Sequence, residues 1–264
     1  MKKIISSLQN KIFKDILSLQ DNRKRKNSEE FGVEGLREIR LALQNNFTPS
    51  LVCICEAYLT EEENKFIKEQ DFQRDLLLDF SEACFDKLLV RKKSSGLYFV
   101  FNKRKNNKFI SSKNSFYLIL DGIEKPANLG AILRTSEACG VTQVFLTNSK
   151  ADLYNPNTIR NSLGAAFSVP TLEIDAEVLH KKLLEEDVEI YASFIEKKSR
   201  PYTSQNYTKK TALVLGSEAQ GISPFWQKNS HSKIIIPMEG SVDSLNVSVA
   251  TAILLFEVKR QRAS

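Results

Sequence analysis

Phe116-Tyr117-Leu118-Ile119-Leu120-Asp121-Gly122, followed by Asn128-Leu129-Gly130-Ala131-Ile132-Leu133-Arg134-Thr135, is the stretch that decides the fold class. The first part is five consecutive apolar residues stopped by a turn pair, which reads as a strand buried on both faces. The second opens a helix over residues 129–138, closed by Gly140. Val144-Phe145-Leu146 is the next strand. Residues 155–162 suggest a helix with Pro156 in its first turn. Strands follow at 188–192, 211–215 and 233–236, and residues 246–259 form a closing helix with Val249, Ile253 and Phe256 in register. Strands that alternate with helices imply an α/β fold with a mostly parallel sheet and covered faces.

Upstream the pattern differs. Residues 102–114 are basic, polar and almost free of large apolar side chains, and a linker is placed there. Before it, Ile4, Ile5, Leu8, Ile12, Ile16 and Leu19 have helical spacing over residues 4–20, and the polar run 21–30 interrupts them. Phe31-Gly32-Val33-Glu34-Gly35 precedes a second helical pattern through Leu36, Ile39, Leu41 and Leu43. Strands are expected at 51–55 and 96–101, and helices at 64–69 and after Ser81. The chain therefore divides into a small α/β unit, 1–101, a basic linker, 102–114, and a larger domain, 115–264.

A chain of 264 residues that is 42% hydrophobic can bury an ordinary core. No apolar run is long enough to span a bilayer, and no signal-peptide core develops after Met1, so a cytoplasmic protein is expected. Cys53 and Cys55 fall on one face of a strand, and C-x-C there is a poor zinc or redox signature. With Cys84 and Cys139 they are expected to be buried thiols, and no metal is expected. The net charge of +6 is unevenly placed, with nine Lys or Arg and no Asp or Glu over residues 87–113 and a second cluster at Arg23-Lys24-Arg25-Lys26. Concentrated positive charge suits nucleic acid, although either cluster alone can equally be a solvated face.

Three short motifs leave the ends of strands. Besides the first, they are Leu215-Gly216-Ser217-Glu218-Ala219-Gln220-Gly221, and Ile236-Pro237-Met238-Glu239-Gly240 running into Ser244-Leu245-Asn246-Val247-Ser248. In a parallel sheet, ligands bind outside the carboxyl ends of the strands, so three such loops can build one pocket. Gly216, Gly221 and Gly240 allow close backbone approach or positive φ, as a loop around an adenosine requires. The spacing is neither G-x-G-x-x-G nor a P-loop. Arg134, on the first turn or two of its helix, can grip phosphate or sit as a solvated helix arginine. Asn128 can cap that helix, and Ser244 and Asn246 can cap the last one. Glu218 can be a plain loop carboxylate. Val242, Leu245 and Val247 read as core.

Taken together, residues 115–264 resemble the SpoU/TrmH-type RNA ribose 2′-O-methyltransferases, the SpoU branch of the SPOUT superfamily. The segment Thr158-Ile159-Arg160-Asn161-Ser162-Leu163-Gly164-Ala165 resembles the family's R-x-S-x-G element, and residues 31–35 with the following helix resemble the L30e-like substrate-binding domain of rRNA-modifying members. Members often show Asp-Pro before the first Asn, where this chain has Glu124-Lys125-Pro126-Ala127-Asn128.

The resemblance implies a C-terminal trefoil knot and a homodimer. It implies S-adenosylmethionine held by Leu215, Gly216, Ser217, Glu218, Gly221, Ile236, Met238, Gly240, Ser244, Leu245 and Asn246. It also implies a catalytic set of Arg134, Asn128, Glu218, Ser244 and Asn246. The implied reaction is methyl transfer to a ribose 2′-hydroxyl of RNA, large-subunit (23S) rRNA being favoured because tRNA-directed members often carry short basic extensions instead of an L30e-like domain. The alternatives are a tRNA methyltransferase of the same family, a catalytically silent RNA-binding protein on this scaffold, and an unrelated nucleotide-binding α/β enzyme.

Overall fold

The computed structural model describes residues 4–70, 72–90, 93–104, 108–196, 199–217 and 220–263. In chain order the elements are β1 (Ile4–Ile5), α1 (Lys11–Ser18), α2 (Asn22–Asn27), β2 (Glu30–Glu34), α3 (Leu36–Gln44), β3 (Pro49–Ile54), α4 (Glu61–Glu69), β4 (Leu77–Phe80), α5 (Glu82–Leu88) and β5 (Leu97–Asn102). They continue with β6 (Phe116–Asp121), α6 (Pro126–Cys139), β7 (Gln143–Thr147), α7 (Pro156–Ser162), α8 (Ala165–Ser168), β8 (Thr171–Glu173), α9 (Ala176–Glu185), β9 (Glu189–Ser193), β10 (Arg200–Pro201), β11 (Thr211–Gly216), α10 (Pro224–Asn229), β12 (Ser232–Ile235) and α11 (Val247–Arg262). They form two compact units, one of residues 1–105 with 154–167 and one of 106–153 with 168–264. No described helix is long and apolar enough to cross a membrane.

The first unit has a five-stranded mixed sheet in the order β1-β4-β3-β5-β2. Alternation along β3 sorts its side chains as the sequence implies. Cys53 and Cys55 enter one core with Phe13, Phe80 and Phe85, while Val52 and Ile54 enter another with Phe31, Phe99 and Phe101. All four cysteines are buried and unpaired. Ile159 and Phe167, from the later segment, join the second core, where Tyr154 stacks on Phe31 at 4.2 Å.

Two expectations fail at the amino terminus. Ile4 and Ile5 form a strand, not the start of a helix, because pairing with Asp79 and Phe80 of β4 overrides local spacing. The polar run contains a helix, α2, and its Arg25 is fully buried. The guanidinium donates to the Leu19 and Gln20 carbonyls, at 2.8 and 3.1 Å, just past the end of α1, and to Asn22 Oδ1 at 3.0 Å. One member of the basic cluster therefore closes a helix end and is not on the surface.

The second unit has seven strands in the order β10-β12-β9-β11-β6-β7-β8, and every pair in it is parallel. One sheet face packs Tyr117, Ile119, Phe145, Ile190 and Val214 against Leu179 and Leu183 of α9 and Trp226 of α10. On α11, Thr251, Leu254, Leu255 and Val258 are buried, whereas Val249 and Phe256 are about half exposed. The apolar register read from the sequence is thus the outer face of that helix. Helices α6 and α11 pack together. Asn246 at the start of α11 donates to Asn128 near the start of α6 at 3.4 Å, and Lys259 near the end of α11 donates to the Ala138 carbonyl near the end of α6 at 2.7 Å. The two helices therefore run side by side in the same direction.

Candidate active site

The carboxyl ends of β6, β11, β9 and β12 lie next to one another in the sheet. Register sets Gly216 beside Asp121 and Ile234 beside Ser193. Asp121 is buried and organises three loops. Its Oδ1 accepts from Thr147 Oγ1 at 3.0 Å and Asn148 Nδ2 at 2.9 Å, and its Oδ2 accepts from the Ser223 amide at 2.7 Å. Such charge-assisted bonds in a buried place are strong and directional.

The loop after β11 is pinched. Ser217 and Gly221 exchange backbone hydrogen bonds at 3.1 and 2.9 Å. Gly221 has φ of 65°, in the left-handed region. A Cβ at position 216 would lie 2.0 Å from the Gly221 carbonyl carbon, so only glycine fits there. Gly240 is different: its φ lies outside the left-handed region and nothing crowds it, so it only keeps the space open.

These loops enclose a cavity of about 610 Å³. Of the residues expected from the sequence, Leu215, Gly216, Ser217, Gly221, Ile236, Met238, Gly240, Ser244 and Leu245 line it. Glu218 lies outside the described residues. Asn246 is the N-cap of α11, its Oδ1 accepting from the Ser248 amide at 2.9 Å, while Ser244 does not cap and instead faces the cavity. Asn128 is not a cap. Helix α6 starts at Pro126, which places Asn128 in its first turn and Arg134 on its third. Arg134 is exposed and is not among the residues lining the cavity. Val242 is 60% exposed at the rim, which corrects the reading of it as core, whereas Val247 is buried.

The sequence did not indicate the contribution of β9, which separates β11 from β12 and brings Ser193, Phe194 and Ile195 to the cavity. It also did not indicate Asp243, the one charged side chain among the described lining residues. The signal for β9 was available, since Val188 to Ala192 reads as a strand and its end must open on the same edge. Neither histidine lines the cavity. His231 Nδ1 accepts from the Ile190 amide at 3.0 Å, and His180 packs edge-on against Phe225. Among the described residues no group of three His, Cys, Asp or Glu is placed to hold a metal ion.

Comparison with known proteins agrees with this architecture. Residues 115–256 match the SpoU rRNA Methylase family, and residues 10–98 match the MRM3-like substrate binding domain. Over 149 residues, 56% of this chain, the sequence is 40% identical to the 23S rRNA (guanosine-2′-O-)-methyltransferase RlmB of Escherichia coli (strain K12). The match spans 61% of that relative's length. The fold is similar to the crystal structure of an RNA 2′-O ribose methyltransferase, with a TM-score of 0.84 and 32% identity over 99% of this chain and 100% of that one. It is also similar to the AdoMet-bound rRNA methyltransferase from Sinorhizobium meliloti, with a TM-score of 0.86 and 25% identity over 99% of both chains. With the family match covering more than half of its length and the parallel sheet bringing the motif loops to one edge, the chain belongs to the SpoU rRNA methylase family.

Proposed function

We propose that this protein transfers a methyl group from S-adenosylmethionine to a ribose 2′-hydroxyl of RNA, with large-subunit ribosomal RNA in the cytoplasm as the substrate. The observation that carries this reading is the single cavity lined by residues 215–217, 221, 236, 238, 240 and 244–245, which are distant in sequence. The cavity suits the cofactor. Its lining is mostly apolar, Gly221 and Gly240 leave room where a Cβ would project, and Asp243 places a negative charge where a cationic ligand would sit. The names of the relatives, which are rRNA and RNA 2′-O-methyltransferases, support the substrate class.

S-adenosylmethionine, when bound, supplies a methyl group already activated on a sulfonium sulfur. The chain then has to align the acceptor oxygen, exclude water and favour loss of the hydroxyl proton. Leu215, Gly216, Ser217, Ile236, Met238 and Leu245 would hold the cofactor, with Glu218 and Ser244 positioning groups around it. Asn128 and Asn246, bonded to each other, would fix where the loop meets α11. A guanidinium offers donors and no acceptor, so the role of Arg134 is to stabilise the alkoxide that develops on the ribose oxygen.

Arg134 reaches the reaction by way of a homodimer, in which it completes the pocket near the partner subunit. The exposed Val249 and Phe256, with half-buried Ile253 between them, support an apolar contact between copies. A knotted C-terminal segment belongs to the same reading. The return of Ile236, Met238, Gly240 and residues 242–245 to a cavity shared with residues 215–217 and 221, across the intervening β9, supports it.

The test uses labelled cofactor and ribosomal RNA from cells lacking the gene. Arg134→Ala should lower methyl transfer by at least about a hundredfold while leaving cofactor affinity by calorimetry within about twofold. An unchanged rate removes Arg134 from the mechanism. Absence of cofactor binding by the unaltered protein replaces the proposal with a silent RNA-binding protein. Mapping 2′-O-methyl sites with and without the gene separates ribosomal from transfer RNA.

A further inference from the structure

A second cavity, about 240 Å³, lies wholly within the N-terminal unit and shares no lining residue with the cleft of the C-terminal unit. Its apolar wall includes Val33, Leu88 and Ile159. Tyr98 also lines it and is 4% exposed, yet among the described residues its hydroxyl has no hydrogen-bond partner. A buried phenol ordinarily finds one. The group is admitted by the absence of a side chain at position 32, since a Cβ on Gly32 would lie 1.8 Å from Tyr98 Oη. Burial pushes the phenol pKa well up, so the cavity is presented with an O–H donor.

The ionic groups at this cavity have opposite signs. Glu38 is in the first turn of α3, and Arg160 is on α7. Among the described residues neither side chain makes an ion pair or a hydrogen bond. Glu34 adds a second carboxylate, whose Oε2 accepts from the Val90 amide at 2.5 Å. Two carboxylates disfavour a phosphate, and the guanidinium disfavours a metal ion or a cationic side chain. What remains is a flat, neutral ligand with hydrogen-bond donors on one edge and acceptors on the next. Guanine has this pattern: N1–H and the N2 amino group donate, and O6 and N7 accept, the latter pair being the usual partner of an arginine fork. Adenine reverses the donor at position 6 and has no N2 amino group. RNA-binding proteins read single strands through unstacked bases held in this way.

We propose that this cavity binds one unstacked guanine of the RNA, with Glu38 accepting from its N1–N2 edge, Arg160 donating to O6 and N7, and Tyr98 donating to a ring or ribose acceptor. The proposal rests on the preceding section only for RNA as the partner, not for methyl transfer.

The test uses the full chain without cofactor and three single-stranded RNA hexamers, five uridines with guanine, inosine or adenine at the fourth position. Fluorescence anisotropy should give about tenfold tighter binding of the guanine hexamer than of the adenine one, with inosine between, since it lacks the N2 donor. Glu38→Gln and Arg160→Met should each bring that ratio close to one. The readout compares two ligands on the same variant, so partial loss of folded protein cancels. A 6-thioguanine hexamer should crosslink within residues 32–38, 88–90, 94–98 or 156–160. Lack of preference in the unaltered protein, preference that survives both substitutions, or crosslinks only elsewhere overturns the proposal. Guanine preference without methyl transfer would instead overturn the function proposed above and leave this site standing.

Discussion

Asp121 and Gly216 sit side by side at the end of two paired strands, and each tolerates little change. Replacing Asp121 with Asn keeps the volume but turns one of its acceptors into a donor, which must face either the Ser223 amide or the Thr147 and Asn148 donors. The expected cost is about 1–3 kcal/mol of stability, read by thermal unfolding, with weaker cofactor binding because Ser223 follows the pinched loop. Gly216→Ala should abolish cofactor binding by calorimetry, since the added methyl overlaps the Gly221 backbone. The need for glycine at 216 and 221 could be read from the sequence, because close approach and positive φ leave few other residues. The role of Asp121 could not. Its partners are 26, 27 and 102 positions away, and only the folded sheet brings them together. The pairing of Asn128 with Asn246 was hidden in the same way, across 118 positions.

Among the elements, the long apolar strands were plain from composition. β6 and β11 are nearly unbroken apolar runs because both faces are covered. β8 and β10, of three and two residues, carry too little pattern to be seen, and they exist because a neighbouring strand pairs with them. Helix α11 was located correctly, but periodicity alone could not say which of its apolar faces turns inward. Its N-cap is testable: Asn246→Ala should cost about 1 kcal/mol of stability, measured by denaturant unfolding. Its last turns are pinned by Glu257, which accepts from Arg260 at 2.9 and 2.8 Å and from Gln261 at 2.7 Å. The bond from Arg260, foremost, holds the Glu257 carboxyl below the usual glutamate range. A lowered carboxylate pKa contributes stability above the unfolded-state value and loses it as pH falls through the folded one. Glu257→Gln should therefore lower the melting temperature at pH 7, and the difference from the unaltered protein should shrink toward pH 3.

At the scale of the whole molecule, surface and order along the chain matter more than any one bond. Phe256 is 51% exposed on the outer face of α11, so Phe256→Glu should leave the melting temperature of the protomer within a few degrees and convert a dimer to a monomer in sedimentation. Removal of residues 1–105 should behave less well than a cut at a plain linker. Ile159 and Phe167 would lose the core formed by Phe31 and Phe47, and the remaining piece should elute from gel filtration as aggregate. Substituting both with polar residues in the same truncation should restore a discrete species. The grouping of residues 154–167 with the N-terminal unit also bears on synthesis. Ribosomes deliver the chain from its amino end, so Phe31 and Phe47 emerge long before Tyr154 and Phe167 have been polymerised. The nascent polypeptide must shelter those aromatic rings, by transient contacts or a chaperone, until the closing segment leaves the exit tunnel.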